Sequence, residues 1–160
     1  QPALVASSPV LSADTLQPCP PNEYTSWNLP RQAAGLLRAG GYLDRYELFT
    51  DLNPYFLTGR FDADSVLDVA VQIRERGGGR RGVAMIHQGT GTVEILGAGV
   101  SVGDGGPDGS WLWVWRVEAP RDEARAGRRG HDVLLVEKPE SASGYLWWDG
   151  ARYQWTQGSD

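Results

Sequence analysis

The sequence predicts a mainly β protein, with antiparallel, blade-like sheets and a helix on the N-terminal side. From residue 54 onward, short runs rich in Val, Ile, Trp and Tyr alternate with Gly and Asp, as strands alternate with turns. Before that point, one stretch has the apolar spacing of a helix. The strand-and-turn pattern also occurs twice along the chain, which indicates an internal repeat.

The composition limits the classes of protein that fit. The 160 residues suit one domain, and with 41% hydrophobic and 22% charged residues the chain can form a core. A net charge of -5 argues against a nucleic-acid partner, and no apolar run approaches the roughly 20 residues of a membrane span. The single cysteine, Cys19, excludes an intramolecular disulfide and a cysteine-type metal site.

The chain divides into a leader and one domain. Residues 1–22 are rich in Pro, Ser and Ala and are predicted as a flexible leader. Residues 23–160 are predicted as a single β-rich domain, with a helical segment at 23–53 and blade-like repeats at 54–160. The absence of an initiator Met fits either a mature export product or a domain cut from a longer chain. Export is favoured, so we expect an extracytoplasmic location, in the bacterial periplasm or secreted.

The helix is predicted near residue 30. Apolar residues fall on one face at helical spacing, namely Leu29, Ala33, Leu36 and Leu37. Pro30 suits the first turn of this helix, and the pair Gly40-Gly41 suits its end.

The internal repeat indicates two copies of a three-strand unit. In the first copy the strands open at Asp68, Gly82 and Thr92, and in the second they open at Asp132, Gly144 and Ala151. Residues 88–91 and the pair Asp149-Gly150 predict hairpin turns between the last two strands of each copy. Antiparallel units of this kind are propeller blades, but a propeller typically needs four to eight of them. The sequence therefore predicts an incomplete or small β-propeller-like fold.

An acidic turn precedes the first repeat. It contains Asp62, Asp64 and Asp68, which open onto a buried strand. Calcium binds six to eight oxygen ligands, and alternate residues of a tight loop can point oxygens inward. A divalent cation would also relieve the repulsion between the three carboxylates. The turn is therefore a candidate Ca²⁺ site.

Residues 59–71, GRFDADSVLDVAV, resemble the opening phrase of the FG-GAP or VCBS propeller repeat, GDFNGDGKPDLAV. Asp62, Asp64 and Asp68 match ligand positions of that family, and the resemblance implies a calcium loop at the start of a blade. The sequence departs from the family at Arg60, which replaces the first ligand, and at Ser65, which replaces a glycine. The Arg60 guanidinium could therefore take the place of the metal, and a plain solvated turn is a third alternative.

The resemblance covers residues 59–99 and extends weakly to the second copy. That copy lacks the acidic loop, because Arg128 and Arg129 precede Asp132. It is not expected to bind calcium.

Two further features are candidates for binding. Asp104 and Asp108 lie in a glycine-rich turn, which is either a weak cation site or, as we favour, a surface loop. Trp111, Trp113 and Trp115 alternate, so their rings are predicted on one face of a strand. With Trp147 they either fill the core or form an exposed platform for a protein or a sugar.

The sequence gives no signature of an enzyme. His87 and His131 are the only histidines, no nucleophile motif accompanies them, and ordinary hydrogen bonds at strand ends are expected. Carboxylates on or beside strands could form a hydrolase pair, but nothing brings two of them together across a cleft; they are Glu94, Glu118, Glu137 and Glu140.

We therefore predict a non-enzymatic, extracytoplasmic protein-binding module. The resemblance, extended to small exported bacterial proteins, implies a periplasmic immunity protein that inhibits a cell-wall hydrolase. The partner would be a peptidoglycan hydrolase, with the Asp104–Asp108 loop or residues 139–143 inserted into its cleft. A carbohydrate-binding module with a Trp platform and a glycoside or peptidoglycan hydrolase remain as alternatives.

Overall fold

The protein is mainly β, with two antiparallel sheets and few helices. The computed structural model describes residues 28–62, 64–119 and 131–158. Over these residues the strands form a five-stranded sheet, sheet A, and a four-stranded sheet, sheet B, and neither closes into a barrel. The predicted leader and the basic residues Arg128 and Arg129 lie outside the described residues.

Helix α1 spans Arg31–Ala39 and helix α2 spans Tyr42–Arg45. Helix α1 begins directly after Pro30, and Gly40 follows its last residue, Ala39. Gly41 then adopts a positive φ of 68°, a backbone conformation that glycine accepts without strain. The interpretation of the whole segment 23–53 as helical is wrong at its end, because the chain enters a strand at Tyr46.

Sheet A is organised around its longest strand. Its members are β1 (Tyr46–Leu48), β2 (Phe56–Gly59), β3 (Asp68–Glu75), β4 (Arg81–His87) and β5 (Thr92–Gly97). Strands β1 and β2 share one edge of β3, where β1 pairs with its C-terminal half and β2 with its N-terminal half. Strand β4 pairs with the other edge, and β5 completes the sheet. This pairing explains why residues 46–48 are extended, since Tyr46 and Leu48 become buried against the sheet.

Sheet B is a simple meander. Its strands are β6 (Val114–Glu118), β7 (Val133–Lys138), β8 (Ala142–Trp148) and β9 (Tyr153–Gln157), in that order. The hairpin between β8 and β9 differs from the predicted two-residue turn at Asp149-Gly150. Trp148 pairs with Tyr153, and the backbone N–H of Asp149 donates to the carbonyl of Arg152, so Gly150 and Ala151 form the centre. The Asp149 carboxylate favours this four-residue turn because it accepts the backbone N–H groups of Ala151 and Arg152.

Sheet A separates two hydrophobic cores. Because successive side chains of a strand point to opposite faces, Val69, Val71 and Ile73 pack towards α1, whereas Ala70 packs towards sheet B. The layers therefore follow the order α1, sheet A, sheet B. None of the described helices has the length and apolar character that crossing a membrane requires.

Candidate functional site

The acidic turn lies at one end of sheet A, in the interface with sheet B. Asp68 is the first residue of β3 and His87 is the last residue of β4. The register pairs Val69 with Ile86, so Asp68 and His87 are neighbours one position further along. Both side chains are directed towards sheet B, and the turn brings Asp62 back against them.

The three side chains form a buried cluster. His87 Nδ1 lies 3.1 Å from Asp62 Oδ2 and 3.4 Å from Asp68 Oδ2. The exposed fractions are 2% for His87, 6% for Asp62 and 0% for Asp68. Despite these short distances, Nδ1 makes no well-formed hydrogen bond with any described residue. This imidazole nitrogen is thus enclosed between two carboxylate oxygens and has no hydrogen bond of good geometry to either.

Backbone donors hold the two carboxylates in place. Asp68 Oδ2 accepts the backbone N–H of Phe61 and Asp68 Oδ1 accepts that of Gln88, each over 3.2 Å. Asp62 Oδ1 accepts the backbone N–H of Asp64 over 2.9 Å. These bonds leave Asp62 Oδ2 free to face His87, and they fix the cluster to the turn and to the β4–β5 hairpin.

The other ring nitrogen of His87 faces sheet B. His87 Nε2 lies 3.3 Å from the Tyr153 hydroxyl and 4.0 Å from Glu94 Oε1. The ring stacks on Tyr153 with centroids 5.7 Å apart, and the Trp148 ring lies 5.6 Å away. Aromatic side chains of sheet B therefore seal the cluster, and residues of both sheets build it.

The charges in this cluster shift several protonation equilibria. Burial alone lowers the pKa of His87, but the carboxylates of Asp68, Asp62 and Glu94 outweigh it, so this pKa is raised. Burial raises the pKa of Asp62, and the nearby charge of Asp68 adds to the effect. Burial also raises the pKa of Glu94 and of Tyr153. Each of these shifts favours the protonated form of its group.

The structure brings together two of the three predicted calcium ligands and adds a histidine. Asp62, Asp68 and His87 place potential ligand atoms within 4.8 Å of one another. Asp64 is outside this set, and its Oδ1 accepts the backbone N–H of Val66 over 2.7 Å. Calcium prefers six to eight oxygen ligands, so a set of two carboxylates and one imidazole fits it poorly. Nothing in the structure identifies calcium, and its binding stays a prediction.

Arg60, the alternative to a metal, is exposed. Arg60, Asp62 and Asp64 all belong to the described residues, and the Arg60 guanidinium forms no ion pair with either aspartate. It is the backbone of Arg60 that makes a defined contact, with Asp132.

His87 is the site residue that the sequence reasoning missed. It was expected to make only ordinary strand-end contacts. The register of the hairpin between β3 and β4 could have revealed its position, since this hairpin pairs Arg74 with Arg81. Counting outward from this pair along both strands brings Asp68 level with His87, which would have joined the histidine to the acidic turn.

The second acidic turn is tied to sheet A. Asp108 Oδ1 accepts the backbone N–H of Arg81 over 3.1 Å, and it accepts the backbone N–H and the hydroxyl of Ser110 over 3.0 and 2.6 Å. Asp104 lies exposed in a short 3-10 turn at Gly103–Gly105. Both predicted binding residues of this turn are exposed, and Asp108 also holds the loop through its hydrogen bonds.

The tryptophans have different surroundings. The predicted common face is wrong, because β6 begins only at Val114 and strand alternation does not extend to Trp111 and Trp113. Trp115 is buried, and its Nε1 donates to the carbonyl of Pro54 over 2.6 Å. Trp111 is half-buried with its ring edge-on to another tryptophan, whereas Trp113 is 62% exposed. Trp147 is half-buried on the outer face of sheet B, with Nε1 bonded to a threonine hydroxyl.

Comparison with known proteins assigns no family to the chain. No family model matches it, and neither the curated proteins nor the solved structures contain a match. The resemblance of residues 59–99 to the FG-GAP or VCBS repeat therefore stays a prediction.

Proposed function

We propose that the protein is a non-enzymatic, extracytoplasmic protein-binding module whose contact surface is centred on Trp113. The observation that supports this is the exposure of Trp113 and its neighbour Val114, at 62% and 40%. Tryptophan is among the residues that contribute most to binding at the centre of protein interfaces. Adjacent exposed apolar side chains also favour an interaction site over a solvated surface.

Trp113 is held by a defined backbone. Its N–H donates to the carbonyl of Glu137 over 2.9 Å, which fixes it to β7 one residue before β6 begins. The preceding Leu112 is buried, and its N–H donates to the carbonyl of Gly109 over 3.0 Å. A side chain presented on an ordered backbone loses little conformational entropy on binding, so this geometry suits a preformed contact surface.

A shallow groove adjoins Trp113. The residues that line it are Phe49, Asp51, Leu52, Arg81, Leu112 and Trp113. The Arg81 guanidinium lies 4.7 Å from the centre of the Phe49 ring. An apolar floor with one acidic and one basic residue at its margin resembles the mixed composition of protein interfaces.

The most concrete partner is a peptidoglycan hydrolase, with the protein as its periplasmic inhibitor or immunity protein. The resemblance to exported propeller-type inhibitors supports this choice, and the net charge of -5 favours a partner with a basic surface.

The two sheets are, in this proposal, two blade-like repeats of a small propeller-like fold. Each includes a four-strand antiparallel meander, β2 to β5 in sheet A and β6 to β9 in sheet B. Asp68 and Asp132 occupy equivalent positions at the second strand of each meander, and each accepts a backbone N–H from residues 60–61. The shared strand order and the equivalent aspartates support a common origin of the two halves.

The test is an inhibition assay with purified peptidoglycan hydrolases and the full chain. Stoichiometric protein should suppress the lysis of peptidoglycan by at least one such enzyme. Trp113→Ala should weaken the inhibition by about 30-fold or more, since truncation at a central interface residue costs about 2 kcal/mol or more. Trp147→Ala is the matched control, because it removes a tryptophan from another surface and should leave inhibition unchanged.

Other outcomes would decide against this function. If no hydrolase is inhibited or bound, the inhibitor proposal fails. If glycans quench the tryptophan fluorescence and Trp147→Ala abolishes the quenching, the protein is a carbohydrate-binding module. If the chain alone cleaves peptidoglycan, it is an enzyme.

A further inference from the structure

We propose that Asp62, Asp68 and His87 form a binding site for a first-row divalent transition metal, with Zn²⁺ as the best match. This inference concerns a structural site between the two sheets, and it is independent of the proposed partner. It also differs from the calcium site that the acidic turn suggests, because it replaces Asp64 with a nitrogen ligand.

The distances from His87 Nδ1 to the two carboxylates fit such an ion. Zinc binds imidazole nitrogen and carboxylate oxygen at about 2.0–2.2 Å, which separates two ligands of a tetrahedral site by about 3.3 Å. The measured separations from His87 Nδ1 are 3.1 Å to Asp62 Oδ2 and 3.4 Å to Asp68 Oδ2. Two of the three separations therefore match a tetrahedral site, and the ligand atoms of Asp62 and Asp68 lie within 4.8 Å of each other.

The burial and hydrogen bonding of His87 Nδ1 support a cation at this site. This nitrogen belongs to a side chain that is 2% exposed, and it has no well-formed hydrogen bond among the described residues. Because Nδ1 faces two carboxylate oxygens, either a proton on this nitrogen or a metal ion must lie between the three groups. A metal ion satisfies all three groups at once, and the imidazole selects a zinc-type ion over calcium.

The surroundings resemble the outer shell of a metal site. Ligating histidines usually direct their second ring nitrogen to a polar partner, and here Nε2 faces the Tyr153 hydroxyl at 3.3 Å and Glu94 at 4.0 Å. The carboxylates are oriented by the backbone N–H groups of Phe61, Gln88 and Asp64. Both shells are thus assembled before any ion binds.

The position of the site suggests a structural role. An ion there would join the turn 60–68 to the end of β4, directly under the aromatic side chains of sheet B. A buried ion at this position would stabilise the junction of the two sheets.

The experiment uses the full chain after treatment with a chelator and removal of the chelator. Titration with Zn²⁺ in a calorimeter should give one site per chain. The equilibrium constant of unfolding should fall about 100-fold when free Zn²⁺ exceeds the Kd by 100-fold. Tryptophan fluorescence should report binding as well, because the Trp148 ring lies 5.6 Å from the His87 ring.

Variants of similar volume locate the site. Asp62→Asn removes one ligand charge and Tyr153→Phe removes the hydroxyl next to Nε2. At outer positions such as Tyr153 the loss of affinity is usually about 10-fold to 100-fold, and Asp62→Asn should exceed it. The controls are Asp64→Asn and His131→Gln, an acid and the second histidine outside the set, and both should keep the wild-type affinity.

The proposal is overturned if Zn²⁺ neither binds nor stabilises the protein, which would leave a cluster held together by a proton. It is also overturned if Asp62→Asn binds Zn²⁺ as tightly as the wild type, because the ion would then occupy another part of the surface. Equal or greater stabilisation by Ca²⁺ would show that oxygen ligands dominate and that His87 is no ligand.

Discussion

Arg60 and Asp132 exchange two hydrogen bonds between the sheets. The backbone N–H of Arg60 donates to Asp132 Oδ2 over 2.8 Å, and the backbone N–H of Asp132 donates to the carbonyl of Arg60 over 2.7 Å. Arg60 directly follows β2 in sheet A, and Asp132 directly precedes β7 in sheet B. The pair therefore joins the two sheets next to the buried cluster of Asp62, Asp68 and His87.

Removal of the Asp132 carboxylate should destabilise the protein. Asp132→Ala removes the acceptor of the exposed Arg60 N–H, and we expect the free energy of unfolding to fall by about 0.5–1.5 kcal/mol. Arg60→Ala is the control, since both bonds use the backbone of residue 60 and its side chain is exposed. Urea denaturation measures both values. A loss in Arg60→Ala as large as that in Asp132→Ala would contradict the backbone link.

A methyl group should have opposite effects at two glycines. A Cβ on Gly82 would clash with the carbonyl of Leu96 and lie 2.6 Å from the backbone N of Ala98, so Gly82→Ala should destabilise by about 1–3 kcal/mol. Gly35 lies within α1, and a Cβ there meets no atom within 4 Å. Gly35→Ala should therefore stabilise by about 0.5–1 kcal/mol. Thermal unfolding of the two variants provides the measurement, and shifts of the same sign would count against the β4–β5 packing.

Two tryptophans two residues apart should differ in their contribution to stability. Trp115 is 4% exposed and belongs to the core between the sheets, so Trp115→Ala should lower the free energy of unfolding by about 3–5 kcal/mol. Trp113→Ala should change it by no more than about 0.5 kcal/mol. Denaturant titrations compare the two. A large loss of stability in Trp113→Ala would mean that this side chain serves the fold rather than a partner.

The loop that carries Asp108 should weaken at low pH. Burial raises the pKa of Asp108, but hydrogen bonds from Ser110 and from the Arg81 backbone outweigh it, and the pKa is lowered overall. A carboxyl group with a lowered pKa stabilises the folded state above its unfolded pKa of about 3.9, and this contribution is lost as the pH falls through the folded value.

Asp108 variants test this pH dependence. Asp108→Ala should cost about 1 kcal/mol at neutral pH, and its difference from the wild type should shrink below pH about 4. Asp108→Asn keeps an oxygen acceptor and should retain most of the stability while losing the pH dependence. Melting temperatures measured from pH 2 to pH 7 give both results. A difference between Asp108→Ala and wild type that is constant with pH would show that the ionised carboxylate has no special role.

Much of the β architecture could be predicted from local sequence. The runs DVAVQI, GVAMIH and TVEILG correspond to β3, β4 and β5, because β-branched residues bounded by glycine turns carry a strong strand signal. The run WLWVWRV was misplaced at its start. Leu112 is held in a turn by Gly109, and the strand begins two residues later at Val114. Such a boundary depends on tertiary hydrogen bonds that periodicity does not contain.

The sequence predicts the acidic turn of the candidate site but not the residues that the fold brings next to it. The acidic turn was identified from three aspartates within seven residues, a local pattern. His87 and Tyr153 are 19 and 85 residues from Asp68 in the chain, and they join it only through strand register and through the packing of sheet B on sheet A. Likewise, periodicity could not show that β1 would pair with β3, because a three-residue strand has too few residues to set a period.

Because β1 and β2 share one edge of β3, this strand should be the part of the molecule most protected from local opening. Its first six residues are buried, and its backbone is bonded on both sides. No partial opening can free its amide groups without parting several strands and both cores. Amide hydrogens of Val69–Ile73 should therefore exchange with solvent only when the whole domain unfolds, and their exchange rates would report its global stability.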